Sequence, residues 1–586
     1  MSSQIISDEL HAARMGITSS LSTRPTAERR LDEAVARIRT GAPVFARMSI
    51  GERIGLARSM QAGFLQIAEQ IVRAACAAKG ITLGTPAEGE EWATGPWCIV
   101  RHLRLIAESL ESLQRAGNTP VGKTRRTTDD KLTVRLFPSS AVDGVLFKGI
   151  TADAHMLAGV GDAELRDTRA GFYRGRAHDG RTVLVLGAGN LAAIPAMDVI
   201  TKMFNEGKAC LLKMNPVNSY LGPFFEQAFA EAIRRNCLAI VYGGAEEGSY
   251  LAHHGGIDEI HLTGSDRTYD SIVWGAPGQE RDARKARNSP LLSKPVTAEL
   301  GNITPVLVVP GPYTDKELAF QAESVAGGVS YNASFNCNSP KMLVTPMGWD
   351  GRRRLLAAIE RALGATPVRR AYYPGAEDRW QRLTSARSQL RKIGLVAPGQ
   401  LPWTLVAGLD ATDPREPAFD TEPFCSILSE TEVGSDDPIE FLERAVDFAN
   451  NRLWGTLSAQ LIVHPASFKD PRIAAAIEQA IARLHYGSVA VNSWSGITFA
   501  FGTPPWGAYP GSTPIDIQSG SGWVHNTSML EGVEKVVLRH PLTIVPKPAT
   551  FPSNRTAHTL LRRLTYEEER GSWGKVPGVI AAAMRG

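Results

Sequence analysis

A regular alternation of buried-type strands and helices begins at Thr182 and limits the possible folds more than any other feature. TVLVLGAG has the continuous apolar pattern of a buried strand, and NLAAIPAMDVITKMFNEG follows it as a helix that ends in glycine. KACLLKMNP, LAIVYGG and EIHLTGS repeat the strand pattern after further helical segments. Because parallel strands need crossover connections, this spacing predicts an α/β fold with a parallel, doubly wound sheet.

The length of the chain requires more than one domain. It has 586 residues, and single hydrophobic cores stop growing at about 250 to 300 residues. Residues 27–116 have a helical pattern, and a second α/β unit begins near Lys294. We predict a first domain with a helical start and a Rossmann-type sheet over 1–293, a second α/β domain over 294–493 and a return to the first domain over 494–546. The polar extension over 547–586 is interpreted as an appendage in which residues 576–584 could dock as a small apolar patch. Residues 365–407 are rich in Arg, Pro and Gly, and we interpret them as a surface insertion.

Composition and charge exclude several classes of protein. The formal net charge is only +4 and the basic clusters are short, so nucleic-acid binding is not expected. The apolar stretch from Val183 to Ile200 is interrupted by polar residues and proline, so no membrane span is expected. The start lacks an apolar core, which argues against a secretory signal. Six scattered cysteines without a CxxC pair predict neither disulfides nor a metal site and fit a reducing cytoplasm.

The turn after the first strand nearly matches a dinucleotide-binding fingerprint. Gly187 and Gly189 stand where glycine lets the backbone approach a pyrophosphate. An ordinary Rossmann site also needs an acidic residue at the end of the next strand, where this sequence has Lys213, Asn215 and Pro216. Alone, the turn leaves open a Rossmann phosphate loop and a plain strand-to-helix connection.

A larger pattern explains this turn better, because eight segments in chain order resemble one known family. They are the Asn190 turn, LLKMNPVNSYLGP, EIHLTGS, TAELGNITPVLV, FNCNSPKMLV, EPF, DFANNRLWGTLSAQL and YGSVAVNS. They resemble the aldehyde dehydrogenase superfamily over roughly residues 30 to 545. The resemblance implies a Rossmann-type cofactor domain, an α/β catalytic domain over 294–493 and a small β oligomerisation element.

The resemblance assigns catalytic roles to three residues. Cys337 is the expected nucleophile, and Glu299 is the general base that prepares a hydrolytic water. The Asn190 amide and the Cys337 backbone N–H are expected to form an oxyanion hole. Outside these motifs, Cys337 is typical of an inert core cysteine, Glu299 of an ion-paired carboxylate and Asn190 of a helix N-cap.

The resemblance also implies a nicotinamide cofactor, NAD or NADP. In NAD-preferring members an acidic residue stands three positions after the strand lysine, but here that position is Pro216. No carboxylate is therefore present there to repel a 2′-phosphate, and the choice between NAD and NADP stays open. The expected cofactor-binding residues are Lys213, Asn215, Gly264, Ser265, Glu422 and Phe424.

Three functions remain open at the level of sequence. The first is hydrolytic oxidation of an aldehyde to a carboxylic acid. The second passes the thioester to coenzyme A, because NPVNSYLGP, ELGNITP and the run from Cys337 to Lys341 look like the acylating branch. That branch usually lacks the glutamate, so Glu299 favours hydrolysis. The third is a non-catalytic scaffold.

The substrate and the assembly are less constrained. FGTPPWGAYPGSTP departs from the family's substrate-side motif, so the aldehyde is not identified. An aromatic wall for an apolar aldehyde and ordinary core packing are both open for four residues, Trp494, Phe501, Trp506 and Tyr509. The resemblance implies a homodimer or homotetramer that assembles through strands near 131–150 and 534–546.

Overall fold

The computed structural model describes residues 23–127, 129–175, 178–385, 387 and 389–586. The first 22 residues, where no secretory signal is expected, lie outside the described residues. The helices are α1 Glu28–Ala46, α2 Ile50–Lys79, α3 Glu88–Trp92, α4 Cys98–Ala116, α5 Ala141–Leu146, α6 Asp162–Thr168, α7 Ala193–Phe204, α8 Gly222–Ala228, α9 Ala230–Arg234, α10 Ala245–His253, α11 Asp266–Val273, α12 Gln279–Ala286, α13 Asp315–Ser330, α14 Gly351–Gly364, α15 Ala376–Thr384, α16 Pro438–Arg452, α17 Pro471–Arg483, α18 Gly496–Phe501, α19 Ala557–Glu567 and α20 Val576–Ala583.

The strands form two large sheets and one short pair. They are β1 Thr124–Arg126, β2 Leu132–Phe137, β3 Thr151–Met156, β4 Thr182–Leu186, β5 Ala209–Met214, β6 Leu238–Tyr242, β7 Glu259–Thr263, β8 Val296–Glu299, β9 Thr304–Val308, β10 Pro340–Pro346, β11 Leu390–Ile393, β12 Trp403–Leu409, β13 Ile427–Val433, β14 Ser458–Ile462, β15 Ser488–Val491, β16 Pro505–Trp506, β17 Gly520–Ser521, β18 Val524–His525 and β19 Val533–Arg539.

The smaller of the two large sheets has the order β17-β8-β7-β4-β5-β6. Strands β4 to β8 are parallel, and only β17 runs antiparallel to its neighbour. β4 and β5 are buried along their whole length, which explains their unbroken apolar runs. Helices cover this sheet, so the predicted α/β fold with a parallel, doubly wound sheet is confirmed.

The larger sheet has eleven strands in the order β1-β2-β3-β19-β15-β14-β9-β10-β13-β12-β11. Its centre is parallel, whereas β1 to β3 form an antiparallel ribbon at one end. β19 joins the two parts, because it pairs antiparallel with β3 and parallel with β15 of the same chain. The strands expected near 131–150 and 534–546 thus complete the chain's own sheet, and assembly through them stays a prediction.

The C-terminal extension packs into the helical start of the chain. Leu560, Leu561 and Leu564 of α19 are buried in the same core as α2 and α4. Immediately after α19, the buried Glu568 carboxylate accepts hydrogen bonds from Arg101 at 2.7 Å and Arg104 at 2.6 Å. The spacing of the leucines explains this docking. The tail was expected to be an appendage in which residues 576–584 could dock as a small apolar patch, and Val579 and Ala582 of that patch lie in the same core.

Breaking the Glu568 ion pairs is expected to destabilise the helical region. Glu568→Ala leaves two buried guanidinium groups short of a partner, and breaking such pairs costs about 3 to 5 kcal/mol. Thermal unfolding followed by tryptophan fluorescence measures the shift of the midpoint. Glu569→Ala is the matched control, because Glu569 pairs only with Lys575 on the surface. Equal midpoints for the two variants would contradict the structural role given to Glu568.

No helix among the described residues is long and apolar enough to cross a membrane.

Candidate active site

Cys337 lies in the connection between α13 and β10, on a loop with an unusual backbone. Three consecutive residues before it, Asn332, Ala333 and Ser334, have left-handed φ values of 53°, 54° and 71°. Non-glycine residues rarely adopt this region and need support from their surroundings. Part of that support comes from the Trp494 indole, which donates to the Asn338 carbonyl at 2.8 Å. The loop therefore presents the thiol from a fixed main chain.

Glu299 lies at the carboxyl end of β8, and its carboxyl faces the Cys337 thiol and the Trp506 indole. It is buried, and its Oε1 has no hydrogen-bonding partner among the described residues. Burial raises the pKa of the Glu299 carboxyl to about 8. Burial, and then the Glu299 charge, raise the pKa of the Cys337 thiol, whereas the Lys341 ammonium lowers it. A thiol and a carboxyl that shift each other's pKa thus lie in one site.

Asn190 approaches the same loop from the turn between β4 and α7. Its side-chain amide donates to the Phe335 carbonyl at 2.9 Å, two residues before the cysteine. The amide is buried and offers a second N–H, as every asparagine does. The Asn190 amide therefore lies beside the loop that carries Cys337.

Lys341 and Glu422 support the opposite side of the loop. The Lys341 ammonium donates to the Cys337 carbonyl at 2.8 Å and to the Glu422 carboxylate at 2.5 Å. Glu422 also accepts from the backbone N–H of Asn302 at 3.1 Å. Phe424, with a left-handed φ of 39°, packs its ring against Phe335. The Lys341–Glu422 pair thus links the EPF segment to residues 331–339, the loop that carries Cys337, which is called the nucleophile loop below.

The other predicted cofactor residues lie at the carboxyl ends of parallel strands. Burial lowers the pKa of the Lys213 ammonium to about 8, and this group donates to the Gly243 carbonyl at 2.9 Å. Asn215 caps the turn after β5, and a Cβ at Gly189 would lie 2.6 Å from its Oδ1. The Ser265 hydroxyl accepts from the backbone at the start of α11. A crevice at these strand ends is where open α/β sheets bind ligands.

Comparison with known proteins gives a clear result for the fold. No family model and no curated protein matches the sequence. An NADP-dependent glyceraldehyde-3-phosphate dehydrogenase from Bacillus halodurans C-125, complexed with NADP, matches with a TM-score of 0.57 at 17% identity, over 87% of this chain and 91% of that one. The chain has the aldehyde dehydrogenase fold. The predicted fold family is therefore confirmed.

Two further solved structures support this fold. An NAD-dependent aldehyde dehydrogenase from Sinorhizobium meliloti has a TM-score of 0.57 and 18% identity, over 88% of this chain and 87% of that one. Aldehyde dehydrogenase 21 from Physcomitrella patens, in complex with the reaction product succinate, has a TM-score of 0.57 and 16% identity, over 88% and 91%. At these identities the likeness concerns the fold, so the roles of individual residues rest on the geometry of this chain.

Within this aldehyde dehydrogenase fold, the predicted residues fall into two groups. Cys337, Glu299 and Asn190 converge on the nucleophile loop, with Glu422 and Phe424 beside it. The remaining cofactor candidates lie at the strand ends of the six-stranded sheet, namely Lys213, Asn215, Gly264 and Ser265. Gly264 is exposed directly before the first turn of α11.

The four aromatic residues for which a substrate wall and core packing were both open lie in different surroundings. Trp506 faces Glu299, and Trp494 holds the nucleophile loop. Phe501 instead stacks on Phe137 with ring centroids 3.7 Å apart. Tyr509 stacks on a histidine, 5.0 Å away. Only the two tryptophans therefore contact the residues of the candidate site.

Several residues at the site have no signal in the sequence. Tyr372, in the 365–407 segment, donates from its hydroxyl to the Asn190 carbonyl at 2.9 Å. The interpretation of that segment as a surface insertion was wrong in this part. Lys79 reaches the same carbonyl from the end of α2, 111 residues before Asn190. No groups of three or more His, Cys, Asp or Glu side chains that could hold a metal ion occur among the described residues.

Proposed function

We propose that this protein oxidises an aldehyde to a carboxylic acid with NAD or NADP, through a thioester on Cys337. The observation that carries the proposal is the interaction between the partly buried Cys337 thiol and the buried Glu299 carboxyl within an aldehyde dehydrogenase fold. A nucleophile and a base are the two groups that formation and hydrolysis of a thioester require.

The residues present fit a nicotinamide cofactor. Gly189 lets its turn pack against Asn215, since a Cβ there would lie 2.6 Å from the Asn215 Oδ1. The start of α11 offers exposed backbone N–H groups next to Gly264. Lys213 and Asn215 would hold the adenosine ribose, Gly264 and Ser265 the pyrophosphate, and Glu422 and Phe424 the nicotinamide ribose. When bound, the nicotinamide accepts the hydride that leaves the aldehyde carbon.

Each catalytic residue then has one task. Cys337 passes its thiol proton to solvent water, and its sulfur adds to the aldehyde carbonyl to give the oxyanion of a thiohemiacetal. The Asn190 amide and the Cys337 backbone N–H stabilise the oxyanion of this adduct. As the oxyanion collapses to a carbonyl and hydride leaves the carbon, a thioester remains on Cys337. Glu299 removes a proton from water, which adds to the thioester and releases the acid and the free thiol.

A second function is favoured by one observation. Since burial raises the pKa of the Glu299 carboxyl to about 8, this group is mainly protonated at neutral pH, so only a minor fraction of the chain carries the base form there. Coenzyme A brings its own thiol as the acceptor and needs less help from a base of the chain. Transfer of the acyl group from Cys337 to coenzyme A is therefore the alternative function.

An aldehyde panel separates the two functions. The purified chain is assayed with apolar, aromatic and phosphorylated aldehydes, with NAD or NADP, and each with and without coenzyme A. Hydrolytic oxidation predicts reduced nicotinamide and free carboxylate without coenzyme A. Reduction that occurs only with coenzyme A, together with an acyl-CoA product, would establish the alternative. Failure in every arm would overturn both.

The hydrolytic step is expected to accelerate as the pH rises. A general base acts in its deprotonated form, so below the Glu299 pKa of about 8 the rate should fall roughly tenfold for each unit of pH. The measurement is the decay of preformed acyl-enzyme after rapid mixing into buffers of different pH. Glu299→Gln should remove this dependence. A wild-type rate that stays constant across neutral and mildly alkaline pH would contradict the role of Glu299.

A further inference from the structure

The main-chain carbonyl of Asn190 accepts three hydrogen bonds from three distant parts of the chain. The donors are the Lys79 ammonium at 3.2 Å, the Asn332 amide at 3.1 Å and the Tyr372 hydroxyl at 2.9 Å. Lys79 ends α2, Asn332 belongs to the nucleophile loop and Tyr372 lies in the 365–407 segment. A carbonyl oxygen with three donors has little freedom to rotate.

The Lys79 ammonium is held in place by several partners besides the Asn190 carbonyl. It is buried, and its ammonium binds both carboxylate oxygens of Glu91, at 2.9 and 3.0 Å, and the Asn332 side chain at 3.0 Å. A buried ammonium is costly to desolvate and is tolerated only where good partners surround it. The Lys79 ammonium therefore contacts the Asn190 carbonyl from a position that its bonds to Glu91 and Asn332 keep fixed.

Asn332 closes the network onto the nucleophile loop. Its amide donates to the Phe335 carbonyl at 3.1 Å, and the Asn190 amide donates to the same carbonyl at 2.9 Å. Its side-chain oxygen lies 2.9 Å from the Tyr372 hydroxyl and shares the single proton of that hydroxyl with the Asn190 carbonyl, and its backbone N–H donates to Glu90 at 2.8 Å. The left-handed backbone of Asn332 is thus held from two sides. The distance between Asn190 and the loop that carries the cysteine is fixed as a result.

We propose that Lys79, Asn332 and Tyr372, here called the Asn190 clamp, are positioning residues that aim the Asn190 amide at the oxyanion formed on Cys337. The inference rests on the proposed function, since it assigns the clamp to the chemistry of the same site. Oxyanion stabilisation depends on donors that are already oriented before charge develops. The clamp supplies this orientation without contacting the substrate.

Tyr372→Phe tests the clamp with the smallest change. Only a hydroxyl is lost, whereas Lys79→Met would leave Glu91 buried without its partner. The matched control is Tyr373→Phe, because Tyr373 packs against Phe335 in the same aromatic cluster and donates no hydrogen bond among the described residues. We expect Tyr372→Phe to lower kcat about tenfold with KM nearly unchanged, since only the transition state uses the amide. Tyr373→Phe should stay close to wild type.

A double-mutant cycle separates positioning from general support of the fold. Asn190→Ala is expected to lower kcat about 10²- to 10³-fold. If Tyr372 acts through the Asn190 amide, Tyr372→Phe should have no further effect in the Asn190→Ala background. A full tenfold effect in that background would overturn the inference, and so would equal effects of the Tyr372 and Tyr373 variants in the wild-type background.

A second readout does not depend on nicotinamide. With p-nitrophenyl acetate, the Cys337 sulfur adds to the ester carbonyl, p-nitrophenolate leaves and an acetyl thioester remains on the chain. The adduct before this collapse carries an oxyanion at the same place, so the cycle can be repeated on the nitrophenolate burst. A normal burst without any nicotinamide reduction would overturn the proposed function alone. A wild-type chain without a Cys337-dependent burst would overturn the inference as well.

Discussion

Cys337→Ala is expected to abolish aldehyde-dependent reduction of nicotinamide, with a loss of at least about 10⁴-fold in kcat. Both the hydride step and the transfer to water or coenzyme A require an acyl group on this sulfur, so no part of the reaction survives its removal. The side chain is a free thiol that is only partly buried, so the fold should persist. Spectrophotometry at high protein concentration measures the residual rate.

The control for this change is Cys76→Ala. Cys76 is buried in α2, and burial raises the pKa of its thiol to about 12, so it is an inert core thiol. We expect full activity from this variant. A Cys337→Ala variant that kept a substantial fraction of the wild-type rate would show that another group carries the chemistry.

Glu299→Gln is expected to separate the two halves of the reaction. Formation of the thioester should survive as a single burst of reduced nicotinamide, whereas steady turnover should fall about 10²- to 10⁴-fold because water lacks its base. Stopped-flow absorbance resolves the burst from the steady phase. Addition of coenzyme A is informative in the same experiment, since turnover restored by this thiol would identify it as a competent acceptor.

A matched control exists for the loss of a buried acidic group. Glu567, in the C-terminal extension, is also buried, and burial raises its pKa to about 7. Glu567→Gln should leave both the burst and the steady phase unchanged. A Glu299→Gln variant with normal turnover in the absence of coenzyme A would contradict the assignment of Glu299 as the base.

The parallel sheet and the two central residues could be predicted from sequence for identifiable reasons. β4 and β5 are buried along their whole length, so their apolar runs are unbroken and easily detected. Cys337 and Glu299 each lie inside a short motif made of consecutive residues, FNCNSPKMLV and TAELGNITPVLV. Local patterns of this kind survive in a single sequence.

The Asn190 clamp could not be predicted, because its contacts are not local. Lys79 and Asn332 are 253 residues apart, and neither belongs to a motif. Tyr372 lies in a stretch whose Arg, Pro and Gly content is typical of a surface loop, although its hydroxyl is part of the buried network. Such contacts depend on how separate units pack, and composition carries no information about that packing.

The end of the chain illustrates a second limit. The polar, proline-containing sequence after Pro546 indicated an appendage, but α19 presents a leucine face to the helical core, and Glu568 reaches two buried arginines. Charge pairing across more than four hundred residues leaves no periodic signal. Likewise, the sequence located β2 and β19 approximately. It did not predict that β19 joins the antiparallel ribbon to β15 within one sheet of the same chain.

The central claim is that an aldehyde becomes a thioester on Cys337, and intact-protein mass spectrometry of Glu299→Gln tests it most directly. After incubation with an accepted aldehyde and oxidised nicotinamide, the account predicts an added mass equal to the aldehyde less two hydrogen atoms, located on Cys337 by peptide mapping. The adduct should be absent without nicotinamide and from the double variant with Cys337→Ala. An adduct of this mass on another residue, or reduced nicotinamide without any covalent adduct, would contradict the account.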